Sequence, residues 1–234
     1  SIQDLEWSES LKAQQENWIG KSEGAKVVFE LAPMPNSSSS DEENQSLEVF
    51  TTRPDTIFGV NFMVLAPEHE LVNIITTAEQ INEVEGYVNR AKLKLERDRQ
   101  ADNSVSGVFT GAYAIHPFTR DRVQVWIGDY VLVSYGTGAV MAVPCGDQRD
   151  WDFANHFGLE IINIFEGVDV SEGANEDKNV NIANSDFLNG LTVKKAMNLA
   201  IFKIEEGGFG KGKINYRLRD AIFSRQRYWG EPFP

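Results

Sequence analysis

An alternation of apolar and charged residues, Leu47-Glu48-Val49-Phe50, runs directly into TTRPDTIFGV (Thr51 to Val60), and Pro54 stands where it would otherwise continue. The alternation predicts a strand. Proline has no amide hydrogen and drives the preceding residue to an extended conformation, so the ladder must stop and the polar groups must turn out of it. Thr51, Thr52 and Thr56, with Arg53 and Asp55, therefore gather at a strand's end. Local grammar leaves two readings open. Threonine is a common strand residue and Pro-Asp a common turn start, yet three hydroxyls, a guanidinium and a carboxylate in one turn also suit a polar ligand.

A second dense segment, YGTGAVMAVPCGDQRDWDFA, spans Tyr135 to Ala154. Gly136 and Gly138 permit close backbone approach, Ala139 to Val143 reads as a strand of small and apolar residues, and Pro144 ends it. Asp147 is placed to cap a helix through Asp150, Trp151 and Phe153, with Asp150 three residues on and on the same side. Two carboxylates at a helix start can complement the dipole and satisfy free amides. They can equally form a rim that holds the ammonium group of a small substrate.

Composition excludes several classes. At 234 residues and 41% hydrophobic content the chain can bury one good core. No apolar run approaches the roughly 20 residues that cross a bilayer, and SIQDLEWSES lacks the order of a signal peptide, so a soluble, non-membrane protein is predicted. The single Cys145 fits a reducing compartment, and His69, His116 and His156 offer no ligand spacing, so no metal is expected. The net charge of −13 argues against a protein that coats nucleic acid. Two local basic clusters, Lys92-Lys94-Arg97-Arg99 and Lys203 to Arg227, read as solvated faces or as a docking edge for a polyanion.

Along the chain, helices are predicted over Asp4–Ile19, Glu68–Ile75, Ala78–Leu95 and Thr192–Glu206. Strands are predicted over Val27–Leu31, Phe62–Leu65, Val108–Ala114, Val123–Ile127, Tyr130–Ser134 and Ile161–Phe165, and Pro33–Gln45 reads as a polar acidic loop. The mixture lacks a regular βαβ rhythm, so the expected fold class is α+β, a mixed β-barrel-like core with surrounding helices. The Gly136–Gly138 pair is not a dinucleotide fingerprint, since a strand follows where a helix should and the third glycine is missing. Cys145, at a strand-to-helix turn with no histidine near in sequence, reads as a buried filler or as the nucleophile of a small-ester hydrolase.

Together the two segments resemble the editing domain of leucyl-tRNA synthetases, the large insertion in that enzyme's catalytic domain. TTRPDTIFGV followed by NFMVLAPEHELV, and YGTGAVMAVP with DQRDWDFA, carry the likeness; NWIGKSEGA (Asn17 to Ala25) and SRQRYWGEPFP (Ser224 to Pro234) resemble the passages into and out of the insertion. The resemblance implies an entry segment at 1–20, an editing domain at 21–214 and a return segment at 215–234. Neither nucleotide-binding signature of class I synthetases is in this chain, so no ATP-dependent activation is expected of it. The parent enzyme is implied to use ATP and magnesium; the editing domain needs no cofactor.

What the resemblance implies is hydrolysis of the ester between a non-cognate amino acid (isoleucine, norvaline or a methionine-like residue) and the 3′-terminal adenosine of leucine tRNA. A hydrophobic synthetic pocket separates a methylene by about 1–3 kcal/mol, so a second site is needed. By this likeness Thr56 blocks the leucine side chain, Met141 and Val143 shape the pocket, and Asp150 binds the α-ammonium. Thr51, Thr52 and Arg53 lie by the ester and ribose, Asp55 fixes the turn or the arginine, and Tyr135 and Asp147 line the rim. Many relatives carry histidine where this chain has Gly146, so whatever that imidazole does for adenosine is absent or supplied otherwise. The implied partners are the tRNA 3′ end and the rest of the parent synthetase, for a cytoplasmic monomer with weak stand-alone RNA binding. A non-catalytic RNA-docking module is the other alternative.

Overall fold

The computed structural model describes residues 2–33, 45–94, 99, 104–133 and 136–216. The chain divides into two compact units, one of Ser1–Glu23 with Ile214–Pro234 and one of Gly24–Lys213. In the first, a 3-10 turn (Ile2–Asp4) precedes helix α1 (Glu9–Ile19). The predicted Asp4–Ile19 helix is thus broken, because Ser8 takes the cap position and its hydroxyl accepts from the Leu11 amide. Gly20 closes α1 in the left-handed conformation.

The second unit is built on a sheet of strands β1 (Lys21–Leu31), β2 (Ser46–Thr51), β3 (Phe62–Leu65), β4 (Val108–Ile115), β5 (Arg122–Ile127) and β6 (Ala139–Ala142), in the order β2-β1-β4-β5-β3-β6; β7 (Gly210–Tyr216) also pairs with β1. Of the pairings β1–β2, β1–β4, β4–β5, β3–β5 and β3–β6, that of β3 with β5 is parallel and the others are antiparallel. The end strands β2 and β6 pack near each other without a hydrogen-bonded ladder, so the sheet curls in a barrel-like way but is not closed. Helices α2 (Val72–Ile75), α3 (Ile81–Lys92), α4 (Gln148–Phe157) and α5 (Val193–Glu206) surround it.

Strand β3 explains how the two sides are organised. Its four residues are all buried: Met63 and Leu65 belong to the main core, while Phe62 and Val64 belong to a second cluster with Phe153 and Ala154 of α4. Alternating side chains of one strand enter opposite faces, so an uninterrupted apolar run is what a strand covered on both sides requires. Each such side chain contributes about 1.5–3 kcal/mol by burial. Phe62 stacks on Phe153, with ring centroids 4.9 Å apart. The main core takes Ile57 of the threonine turn, and the second cluster holds α4. β6, antiparallel to β3 with Met63 opposite Met141, sends Met141 to the first and Ala142 to the second.

Several expected elements differ. Tyr130–Ser134 is no strand over its described residues, because the chain turns at Gly128, whose amide donates to Leu65 O, and Val131 N donates back to Gly128 O. Ile161–Phe165 is irregular apart from one bridge, Phe165 to Ile182. The Glu68–Ile75 helix shrinks to Val72–Ile75, since Pro67 to Leu71 forms turns. The basic residues after α3 are partly neutralised: Lys94 pairs with Asp129 at 3.1 Å and Arg99 with Glu68 at 2.8 Å. Arg97, most of the acidic loop after Pro33 and the cations from Arg217 onward lie outside the described residues. Among the described residues no helix is long and apolar enough to cross a membrane.

Candidate functional site

The threonine turn forms as its proline dictates. β2 ends at Thr51, opposite Ala25 of β1, and Pro54 opens a 3-10 helix (Pro54–Gly59). Thr51 Oγ1 accepts from the Arg53 amide at 3.0 Å, which keeps its own proton to give. Thr56 Oγ1 donates to Arg53 O at 2.9 Å; its side chain is buried and its hydroxyl proton is engaged. The Arg53 guanidinium forks onto Asp55, Nε at 3.0 Å from Oδ1 and Nη2 at 2.8 Å from Oδ2. Asp55 is fully buried, so it reaches a ligand only through the arginine that it holds. Thr52 is exposed.

Two residues that sequence reasoning missed support this turn. Gly24 on β1 lies so close that a Cβ there would stand 2.0 Å from Thr51 O and 3.0 Å from Thr52 Cα. Behind the turn, the ring of buried His116 has Nδ1 accepting from the amides of Phe118 (3.2 Å) and Thr119 (3.1 Å), so Nε2 carries the proton and donates to Ile57 O at 3.0 Å. Burial holds the imidazole below its usual pKa, which keeps that neutral tautomer. An isolated histidine in an apolar stretch gave no signal for either role.

The second segment is organised by the backbone of Val143. Its carbonyl accepts from the amides of Gly146 (2.9 Å) and Asp147 (3.1 Å), and its amide donates to Asp150 Oδ2 at 2.8 Å. Asp147 caps α4 as expected, Oδ1 accepting from the amides of Arg149 (2.9 Å) and Asp150 (3.2 Å), and stands exposed. Asp150 is only 8% exposed. Burial first, then the negative Asp147, push its carboxyl up to about 7; the Val143 amide, the Tyr130 hydroxyl and Arg149 act the other way. Tyr130 Oη lies 3.4 Å from Oδ1. Met141 and Val143 are both buried in the main core. Tyr135 lies outside the described residues.

The two segments meet. Gly59, at the end of the threonine turn, is packed so that a Cβ would stand 3.0 Å from Val143 Cγ1, 3.2 Å from Ile164 Cδ1 and 3.3 Å from Cys145 Sγ. At the other side, Gly136 lies 3.9 Å by the same measure from Phe50 Cβ, next to Thr51. The residue that holds Asp150 thus touches the turn that presents Thr51 to Thr56. Cys145 is fully buried and its thiol is raised to about 11, chiefly by burial, so a thiolate nucleophile at neutral pH is disfavoured. At Gly146 the ring of Phe165 lies 3.4 Å from where a Cβ would stand. Among the described residues no group of three or more His, Cys, Asp or Glu could hold a metal ion.

With that geometry in hand, residues 16–205 match the family described as leucyl-tRNA synthetase, editing domain. The chain is 62% identical to the leucine–tRNA ligase of Flavobacterium johnsoniae and 60% identical to that of Christiangramia forsetii, in each case over the whole chain and 24% of the relative. It therefore spans about a quarter of the length of these relatives. Its fold also matches LeuRS of Agrobacterium radiobacter K84, solved as a ternary complex with tRNA and LeuAMS, with a TM-score of 0.68 and 33% identity over 98% of this chain and 25% of that one. Family match, near relatives and fold agree with the paired segments: the chain belongs to the leucyl-tRNA synthetase editing domains.

Proposed function

We propose that this chain performs post-transfer editing, the hydrolysis of the ester joining a non-cognate amino acid to the 3′-terminal adenosine of leucine tRNA, with isoleucine, norvaline and methionine-like residues as substrates. The observation that carries it is the packing of Gly59 against Val143, which brings the residue that holds the Asp150 carboxylate against the hydroxyl-bearing turn.

In this reading Asp150 receives the α-ammonium. Val143 N–H fixes one of its oxygens, and ion pairing with the substrate favours the ionised form against the burial that opposes it. The Thr51 hydroxyl and the Arg53 guanidinium, whose Nε and Nη2 grip Asp55, support the charge that develops on the carbonyl oxygen. Water adds to that carbonyl carbon, the ester C–O bond breaks, and the ribose oxygen leaves with a proton, giving free amino acid and tRNA. Fixed dipoles and the substrate's vicinal hydroxyl orient the water, so no side-chain base, metal or cofactor is assigned. Thr56, locked on Arg53 O, is a wall against leucine, and Met141 and Val143 complete the apolar pocket. Asp147 and Tyr135 are assigned to the rim.

The partners on this reading are the single-stranded 3′ end of leucine tRNA and the remainder of a parent synthetase, which supplies ATP- and magnesium-dependent aminoacylation and most of the tRNA affinity. The protein works as a cytoplasmic monomer. Full-length synthetase mixed with leucine tRNA carrying isoleucine should release the amino acid, and Asp150→Asn should reduce release by on the order of 100-fold or more, as for a lost charge-assisted contact. Undiminished release by that variant would remove Asp150 from the site.

A further inference from the structure

We propose that Tyr130 is a positioning residue for Asp150: its hydroxyl orients, in the ionised state, the carboxylate oxygen that meets the substrate's ammonium. The inference rests on the ester-hydrolysis reading above and extends it to a residue outside both of the segments that define the site.

The geometry assigns the two oxygens of Asp150 different tasks. Oδ2 is tied to the Val143 amide at 2.8 Å, while Oδ1 faces Tyr130 Oη at 3.4 Å. That second distance is long for an O–H···O bond, which ordinarily lies at 2.5–3.0 Å, so the phenol steers Oδ1 without saturating it. A carboxylate oxygen accepts more than one hydrogen bond, and capacity remains for an ammonium N–H. The phenol serves as a donor at any working pH. Its pKa is raised well above the usual value, first by burial and then by the facing carboxylates of Asp150 and Asp147.

The ring is held from several sides. Phe153 of α4 meets it edge-on at 6.1 Å between centroids, and the Arg149 guanidinium carbon lies 5.5 Å from its centroid. Tyr130 belongs to the turn after β5, which Gly128 anchors to Leu65 of β3. The groups that set the ionisation of Asp150 are Asp147, which opposes it, and Arg149, the Val143 amide and Tyr130, which favour it. Of these, Tyr130 is a neutral side-chain donor that an isosteric substitution removes without changing net charge.

The test is the pH dependence of deacylation by full-length synthetase acting on leucine tRNA charged with isoleucine, corrected for uncatalysed hydrolysis, for the wild type, Tyr130→Phe and Asp150→Asn. Tyr130→Phe should move the acid limb up by about half to one pH unit, roughly a three- to tenfold loss at pH 6.5, and approach the wild-type rate at pH 9. A Tyr130→Phe profile that superimposes on the wild type, with Asp150→Asn inactive, overturns the role of Tyr130 and leaves the editing reading standing. An equal loss at every pH also overturns it, because lost packing does not follow the ionisation of Asp150. A wild type that releases nothing contradicts the editing reading itself.

Discussion

The threonine turn and the Val143–Asp150 turn are neighbours that solve opposite electrostatic problems. In the first, polar groups satisfy one another: Arg53 on Asp55, Thr51 on the Arg53 amide, Thr56 on the Arg53 carbonyl. In the second, a carboxylate with one close amide donor and one distant phenol is held where burial and Asp147 resist its charge. The first turn is a rigid frame. The second leaves a buried carboxylate with an unmet demand for positive charge, which on the proposed reading a substrate ammonium would fill. A site that combines both can be stable in shape and still bind strongly where the chemistry is needed.

The largest stability effect expected lies in the frame. Arg53→Ala leaves Asp55 buried without its partner, and loss of one member of a buried pair costs about 3–5 kcal/mol. Chemical denaturation of the isolated chain should show it, and a change below about 1 kcal/mol would mean that Asp55 finds another donor.

Asp150→Asn should act in the opposite direction on stability. The Asp150 carboxyl titrates near 7 when folded and near 3.9 when unfolded, so the native state binds the proton more tightly. Its stabilising protonation is complete below about pH 4 and is lost as pH rises through about 7. Above that, the buried charge costs up to about 4 kcal/mol, the free energy of a shift of about three pH units. Asn keeps an acceptor for the Val143 amide, so the variant's advantage should grow between pH 4 and 7 and then level off. A stability difference that does not change with pH would contradict the raised carboxyl. Gly24→Ala should have a smaller effect, about 1–3 kcal/mol, because Thr51 O must shift to admit a methyl; an unperturbed melting curve would show that the two backbones are not so close.

Much of this contrast was legible in the sequence, but unevenly. Pro54 forced the strand to end, and the 3-10 helix starts at that residue; β3 is the run Phe62–Leu65 that continuous apolarity predicts. Asp147 announced itself as a cap. The misses share a cause: local composition carries no record of what lies opposite. Tyr130 to Val133 are strand-like residues in a turn set by Gly128 and Leu65. Ile164 and Phe165 are buried by packing across Gly59 and Gly146 rather than by a ladder. β7, written as Gly-Lys-Gly-Lys-Ile-Asn-Tyr, is strand because β1 offers its backbone. In the candidate site, Thr51–Thr56 and Asp150 could be singled out from sequence, while Gly24, His116 and Tyr130, distant in chain and ordinary in type, emerge only from contacts.

The central claim is that the two turns form one site in which Asp150 holds the amino acid and Thr56 excludes leucine. It is tested most directly by the ratio of leucine to isoleucine release from leucine tRNA by full-length synthetase, in the wild type and in Thr56→Ala. The wild type should release isoleucine and leave leucine attached, whereas Thr56→Ala should release both, with the ratio rising by on the order of 10- to 200-fold, the worth of a small steric difference in an apolar pocket. A Thr56→Ala enzyme that still releases isoleucine and leaves leucyl-tRNA intact would contradict the claim.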